Sequence, residues 1–154
     1  METIYEIQRI KQVVQEIEFK KYAITSPQDI ARVASDWIGN EDREVFLVVC
    51  LNQKNSVVAI HRCHIGAIDQ ATVNPREVFK SAILNNSTSA IAVSHNHPGV
   101  GAHSLRLDPS EADIHITNKL MQAGETLSIP LLDHVIVGEN PYQFFSFRQE
   151  GYIE

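Results

Sequence analysis

A three-layer α/β domain, with a mixed central β-sheet flanked by helices, is the fold class that the sequence predicts. Three observations carry this prediction. Nearly unbroken apolar runs, such as Glu44–Leu51 (EVFLVVCL), alternate with segments whose apolar residues recur at helical spacing. The amphipathic segments open on capping signals, Ser26-Pro27, Asn74-Pro75 and Ser110. A short polar turn, Asn52-Gln53-Lys54-Asn55, joins two neighbouring strands as a hairpin, so the sheet is mixed rather than all parallel.

Taken in order, residues 1–22 form an N-terminal arm ahead of a domain at 23–154, and residues 4–22 of it are ambiguous between helix and strand. Ile7, Ile10, Val13, Val14 and Ile17 fit a helical stripe, with an edge strand as the alternative. The arm is a candidate for packing on the body or for pairing two copies as a homodimer. Ser26 caps a helix with Pro27 at its first position and Ile30, Val33, Ala34 and Trp37 on one face; Gly39 ends it. Glu44–Leu51 reads as a central strand, and Ser56–Ile65 as its hairpin partner. Gly66–Val73 is a loop or irregular strand. Asn74 caps a second helix, whose Glu77 falls where a capping box wants an acid, and Asn85-Asn86-Ser87 end it. Ser89–Ser94 is a short buried strand. Ser110 opens a third helix expected to run to about Ala123 and to stop at Gly124. Ile129–Gly138 and Tyr142–Phe147 are the last two strands.

The 154 residues suit one domain, and 44% hydrophobic with 21% charged residues is ordinary for a globular chain. No apolar run approaches the ~20 residues that span a bilayer. The start, Met1-Glu2-Thr3-Ile4-Tyr5, has neither the basic nor the apolar stretch of a secretory signal, so a cytoplasmic location is expected. A net charge of −6 does not support direct nucleic-acid binding, which needs Lys and Arg to displace counterions. Cys50 and Cys63 lie in strands without a C-x-x-C pattern and read as buried thiols.

The chemistry concentrates at Ser94-His95-Asn96-His97-Pro98 and Ser110-Glu111-Ala112-Asp113. On an extended segment, residues two apart project to the same side, so His95 and His97 can face one ion while Asn96 turns away. Pro98 stops the strand. Asp113 shares a helical line with Ile116 and Leu120 and should face inward, where a carboxylate is costly unless something positive meets it. Two His and one acid with an open position form the ligand set of a catalytic zinc. The same Ser110-x-x-Asp113 spacing also reads as an N-cap and its acid at the third helical position, a stabilising pair that needs no metal.

The run S-H-N-H-P followed by S-E-A-D resembles the JAMM (JAB/MPN) metalloprotease motif, an upstream Glu followed by H-x-H-P and S-x-x-D. The blocks Asn74–Lys80 (NPREVFK) and Ile129–Gly138 (IPLLDHVIVG) look like those of the bacterial RadC family, and the resemblance covers about Ser26 to Glu150. It implies a JAB/MPN-like fold in which His95, His97 and Asp113 bind Zn²⁺. Ser110 would hydrogen-bond near the attacking water or the developing oxyanion. Glu44 best matches the upstream glutamate, with a general acid/base role; its bland reading is an exposed acid at a strand entry. Glu77 is a rival already explained by capping. The implied activity is zinc-dependent hydrolysis of a peptide or isopeptide bond in a protein or peptide substrate. The alternative is a non-catalytic zinc-containing module that acts by binding in DNA repair or mobile-element biology.

Two departures stand out. Eleven residues separate Pro98 from Ser110, more than the family pattern leads one to expect. The extra segment, around Gly101–Asp108, should enlarge or cover the rim, with His103 as a lid residue. Longer RadC proteins carry a helix-hairpin-helix DNA-binding module, which the residues before Ser26 do not accommodate. Among the other histidines, His61 shares a strand face with Cys63 as a conceivable second soft-metal pair, and His64 faces the other way. His134 reads as a hydrogen-bonded core residue and His115 as a surface one. Asp133 is a candidate to orient a zinc-binding His. A nucleobase deaminase and a zincin are disfavoured, since H-x-E with P-C-x-x-C and H-E-x-x-H are absent.

Overall fold

A computed structural model describes residues 1–19, 23–98 and 107–154. Its elements follow in the order α1 (Pro27–Ile38), β1 (Val45–Leu51), β2 (Val57–Ile65), α2 (Pro75–Leu84), β3 (Ala90–Asn96), α3 (Glu111–Leu127), β4 (Leu131–Val137) and β5 (Phe144–Ser146). The strands form one five-stranded sheet in the order β2-β1-β3-β4-β5. Only β3 and β4 run parallel; β1 pairs antiparallel with both β2 and β3, and β5 antiparallel with β4. The mixed three-layer α/β architecture is therefore as expected.

Both faces of the central strands are covered, which explains their unbroken apolar runs. Phe46, Val48 and Cys50 of β1 join Val78 and Phe79 of α2 and Ile116 and Leu120 of α3 in one core. Leu47, Val49 and Leu51 join Ile30, Val33 and Ala34 of α1 in the other. Cys50 and Cys63 are free thiols, and burial pushes the Cys63 thiol up to about 11, so it stays protonated near neutral pH. Among the described residues no helix is long and apolar enough to cross a membrane.

Three expectations need correction. The arm is not helical over its described part: residues 1–19 carry no helix or strand, and Ile7, Ile10, Val13, Val14 and Ile17 are exposed. A helical stripe is stabilised by a surface to bury against, and here none covers it. The arm touches the body through the Gln12 amide, which donates to the Ser81 carbonyl, and through Phe19 against the α1 core. The second correction concerns β2. A bulge puts Leu47 opposite Arg62 and Phe46 opposite His64, while Val48 faces His61. One extra residue flips side-chain parity, so His64 ends on the same face as His61 rather than the opposite one.

The third is α3, which passes through Gly124 and ends at Ser128, whose φ of 59° is left-handed. Gly124 is required for a different reason than stopping the helix. A Cβ there would stand 2.7 Å from the Ile129 carbonyl oxygen and 3.2 Å from the Leu131 nitrogen, both backbone atoms entering β4. Helix propensity alone predicts that Gly124→Ala stabilises by about 1 kcal/mol. We expect the opposite sign, a loss of about 1–3 kcal/mol from overpacking, read as a lower urea midpoint. A raised midpoint would show that the strand entry yields easily.

Candidate metal centre

The first two site histidines sit at the end of β3: His95 is within the strand and His97 directly follows its last residue. His95 pairs with Phe46 of β1 on one side and Ile136 of β4 on the other, so it is held by three strands. The Phe46 ring lies over it at 6.3 Å and nearly parallel. Asn96 turns away: its side-chain oxygen accepts from the Val45 N–H at 2.7 Å, and its amide donates to the Arg43 carbonyl at 2.9 Å. His97 continues the ladder by donating its N–H to the Val137 carbonyl at 2.9 Å. The alternation expected of an extended H-x-H segment is present.

Asp113 comes from the first turn of α3 and is buried. Its Oδ2 lies 3.4 Å from His95 Nε2 and 3.6 Å from His97 Nε2, and the two ring nitrogens are 3.1 Å apart. Among the described residues, His95, His97 and Asp113 form the one group of three such side chains that could hold a metal ion. Cys63 and His61 gather no third ligand of this kind among the described residues.

The capping reading of Asp113 is correct as well. The same Oδ2 accepts from the Ser110 N–H at 2.9 Å, and Ser110 Oγ accepts from the Asp113 N–H at 3.0 Å. One carboxylate thus closes a capping box and faces two imidazoles. Burial would push its pKa up, but the His95 and His97 imidazoles, which donate to it when protonated, and the Ser110 N–H outweigh it and hold Asp113 well below the usual carboxylate range. Ser110 itself is exposed at the helix start beside the cluster.

Glu44 lies outside the triad, one residue before β1. Continued two residues past the Phe46–His95 pair, the β1–β3 register sets Glu44 opposite His97, and alternation gives it the face of Phe46 and His95. It is half-buried, and its Oε2 accepts from the Ile68 N–H at 3.0 Å. Glu44 is thus tied to the segment after β2, unlike a freely solvated strand-entry acid. Glu77, by contrast, is on the surface of α2 and pairs with Lys80 at 3.0 Å.

Asp133 does not orient His95 or His97. Its carboxylate accepts from the Ser146 hydroxyl at 2.6 Å, the His134 N–H at 2.7 Å and the Arg148 N–H at 3.0 Å, on bonds that fasten β4 to β5 and the chain after it. The residue that does touch a site histidine is its neighbour. His134 is fully buried, with Nε2 2.7 Å from His95 Nδ1, Nδ1 2.6 Å from the Thr117 hydroxyl, and its ring stacked on Phe147 at 4.6 Å. Burial holds its pKa well below the usual histidine range, so it is neutral. The sequence places a histidine in an apolar strand; only the β3–β4 register, which pairs Val93 with His134, reveals that it reaches His95. His115 is exposed, as expected. Gly101–Arg106, including His103, lie outside the described residues, while Leu107 is buried in the α2/α3 core.

A mixed three-layer sheet that brings two strand-end histidines and a helix-start aspartate around one point defines an α/β domain of the JAB type. Residues 24–152 match the RadC-like JAB domain, and the chain belongs to that family. Its relatives include UPF0758 proteins of Rubrobacter xylanophilus (40% identical over 84% of this chain and 53% of the relative), Desulfitobacterium hafniense (42% over 84% and 54%) and Clostridioides difficile (41% over 86% and 53%). The chain spans about half the length of the curated relatives it matches.

Proposed function

We propose that this domain is a zinc-dependent hydrolase that cuts a peptide or isopeptide bond. One observation carries the reading: the three donor atoms stand 3.1, 3.4 and 3.6 Å apart. The edges of a tetrahedron built on bonds of about 2.0–2.1 Å are about 3.4 Å long, so the triad fits three corners of a zinc site and leaves the fourth. The fit includes the donor types, two imidazole nitrogens and one carboxylate oxygen.

A zinc ion held there supplies Lewis acidity, polarising a carbonyl oxygen and bringing the pKa of a water molecule down towards about 7. The chain's own residues do the rest. Glu44, on the side of the half-buried His97, takes the proton of the attacking water and passes it to the departing amine. Its hydrogen bond from the Ile68 N–H fixes the carboxylate in place. Ser110, whose oxygen already accepts from the Asp113 N–H, keeps its hydroxyl proton to donate to the oxygen that gathers negative charge. The buried His95 side excludes water, and the substrate approaches from the His97 side, where the side chain is 19% exposed.

The test is metal analysis of protein purified without chelator. About one zinc per chain is expected, together with a lower melting temperature after chelation. His95→Ala should lose both the metal and the chelator effect. Absence of zinc from the wild type, with no effect of His95→Ala, would sink the reading. A second reading, a metal-stabilised binding module of the kind engaged in DNA repair, has one observation in its favour. The candidate ligands come from the end of β3, with the residue that follows it, and from α3, so an ion there would tie strand end to helix start whether or not chemistry follows. Loss of cleavage on changing Glu44 separates the two.

A further inference from the structure

We propose that His134 is a positioning residue for the metal centre: with Thr117 it fixes the tautomer of His95 so that the Nε2 lone pair faces the ion. This rests on the metal-binding reading above. The argument follows the direction of the hydrogen bonds. The Asp113 main-chain carbonyl can only accept, so the Thr117 hydroxyl, 2.7 Å away, donates to it. The Thr117 oxygen must then accept from His134, which places a proton on His134 Nδ1 at 2.6 Å. With its ring proton placed on Nδ1 and the ring fully buried between Phe46 and Phe147, His134 presents the Nε2 lone pair, which accepts from His95 at 2.7 Å. That puts the His95 proton on Nδ1 and leaves Nε2 bare, 3.4 Å from Asp113 Oδ2 and 3.1 Å from His97 Nε2.

The chain of bonds begins and ends on one residue. It leaves the Asp113 carbonyl, runs through Thr117, His134 and His95, and returns to the Asp113 carboxylate across the ion's position. The histidine partner is unusual in kind, because the second nitrogen of a metal-binding histidine commonly donates to a carboxylate, carbonyl or water. Here a neutral imidazole takes that place, clamped by the Phe147 ring on one face and set edge-on to Phe46 at 5.7 Å. A neutral acceptor orients His95 without adding negative charge behind it. The triad with a divalent ion would therefore carry a net charge of +1, the ion's +2 less the single negative charge of Asp113.

The experiment has two parts. In metal-free wild type, long-range nitrogen–proton correlation spectra should show His95 and His134 both as the Nδ1–H tautomer. An Nε2–H signal for His95 overturns the proposal, and this reading needs neither metal nor activity. In titrations with zinc and cobalt, His134→Leu should bind about tenfold to hundredfold more weakly. His134→Gln should recover most of that loss, since its amide oxygen can accept from His95 and its NH₂ can donate to Thr117. Equal affinity of His134→Leu and wild type, or Gln no better than Leu, also overturns it. Should wild type bind no metal while the tautomers are as stated, the metal reading fails and the hydrogen-bond assignment survives.

Discussion

Glu44→Gln is expected to keep its full metal content and lose cleavage by about 10²–10⁴-fold, the range for removal of a general acid/base group. The amide is nearly the size of the carboxylate, and its oxygen can still accept from the Ile68 N–H at 3.0 Å. The segment after β2 therefore stays tethered, and His95, His97 and Asp113 are untouched. What the amide lacks is a site to hold a proton. The measurement pairs metal content with initial rates on a panel of peptides and isopeptide-linked conjugates. Equal rates for variant and wild type would move the base elsewhere. A wild type inert across the panel would favour the binding module.

The second large effect belongs to Asp113→Ala, which removes one of the three side chains that could hold a metal and one half of the capping box together. Metal affinity should fall by at least about 100-fold, a larger loss than for an outer-shell partner. Comparing metal-free proteins isolates the other role, where the lost cap should cost about 0.5–2 kcal/mol. The pH dependence gives a further check. Asp113 is held below its unfolded range. Its stabilisation is therefore complete above the unfolded pKa near ~3.9 and is lost as pH falls through lower values. The metal-free wild type should lose stability more steeply in acid than the alanine variant. Parallel acid limbs would show that the carboxylate gains nothing from its neighbours.

Much of this was legible in local pattern. Alternation along His95-Asn96-His97 and the helical line from Asp113 to Ile116 and Leu120 placed three side chains able to hold a metal on converging faces, because both are short-range geometry. What stayed hidden depended on long-range packing. His134 is 39 residues from His95, and only the β3–β4 register brings them together. The bulge in β2 is one residue in size, yet it reverses where His64 points. Gly124 reads as a helix stop because glycine often is one, while its actual constraint is the backbone that crosses it at Ile129. The arm shows periodicity without a surface to use it. At Asp113 the two readings seemed to compete, although a carboxylate has lone pairs enough for both a cap and an ion.

The attachment of the triad to β3 and α3 bears on how this domain can vary. Of the eleven residues between Pro98 and Ser110, Leu107 is buried in the core, while the triad itself comes from residues on either side of the segment. The entropy of closing such a loop rises only with the logarithm of its length, by about 0.6 kcal/mol for each doubling. Ligand placement and rim length are therefore nearly separate variables. A change in the length of this segment would leave His95, His97 and Asp113 where the sheet and the helix hold them.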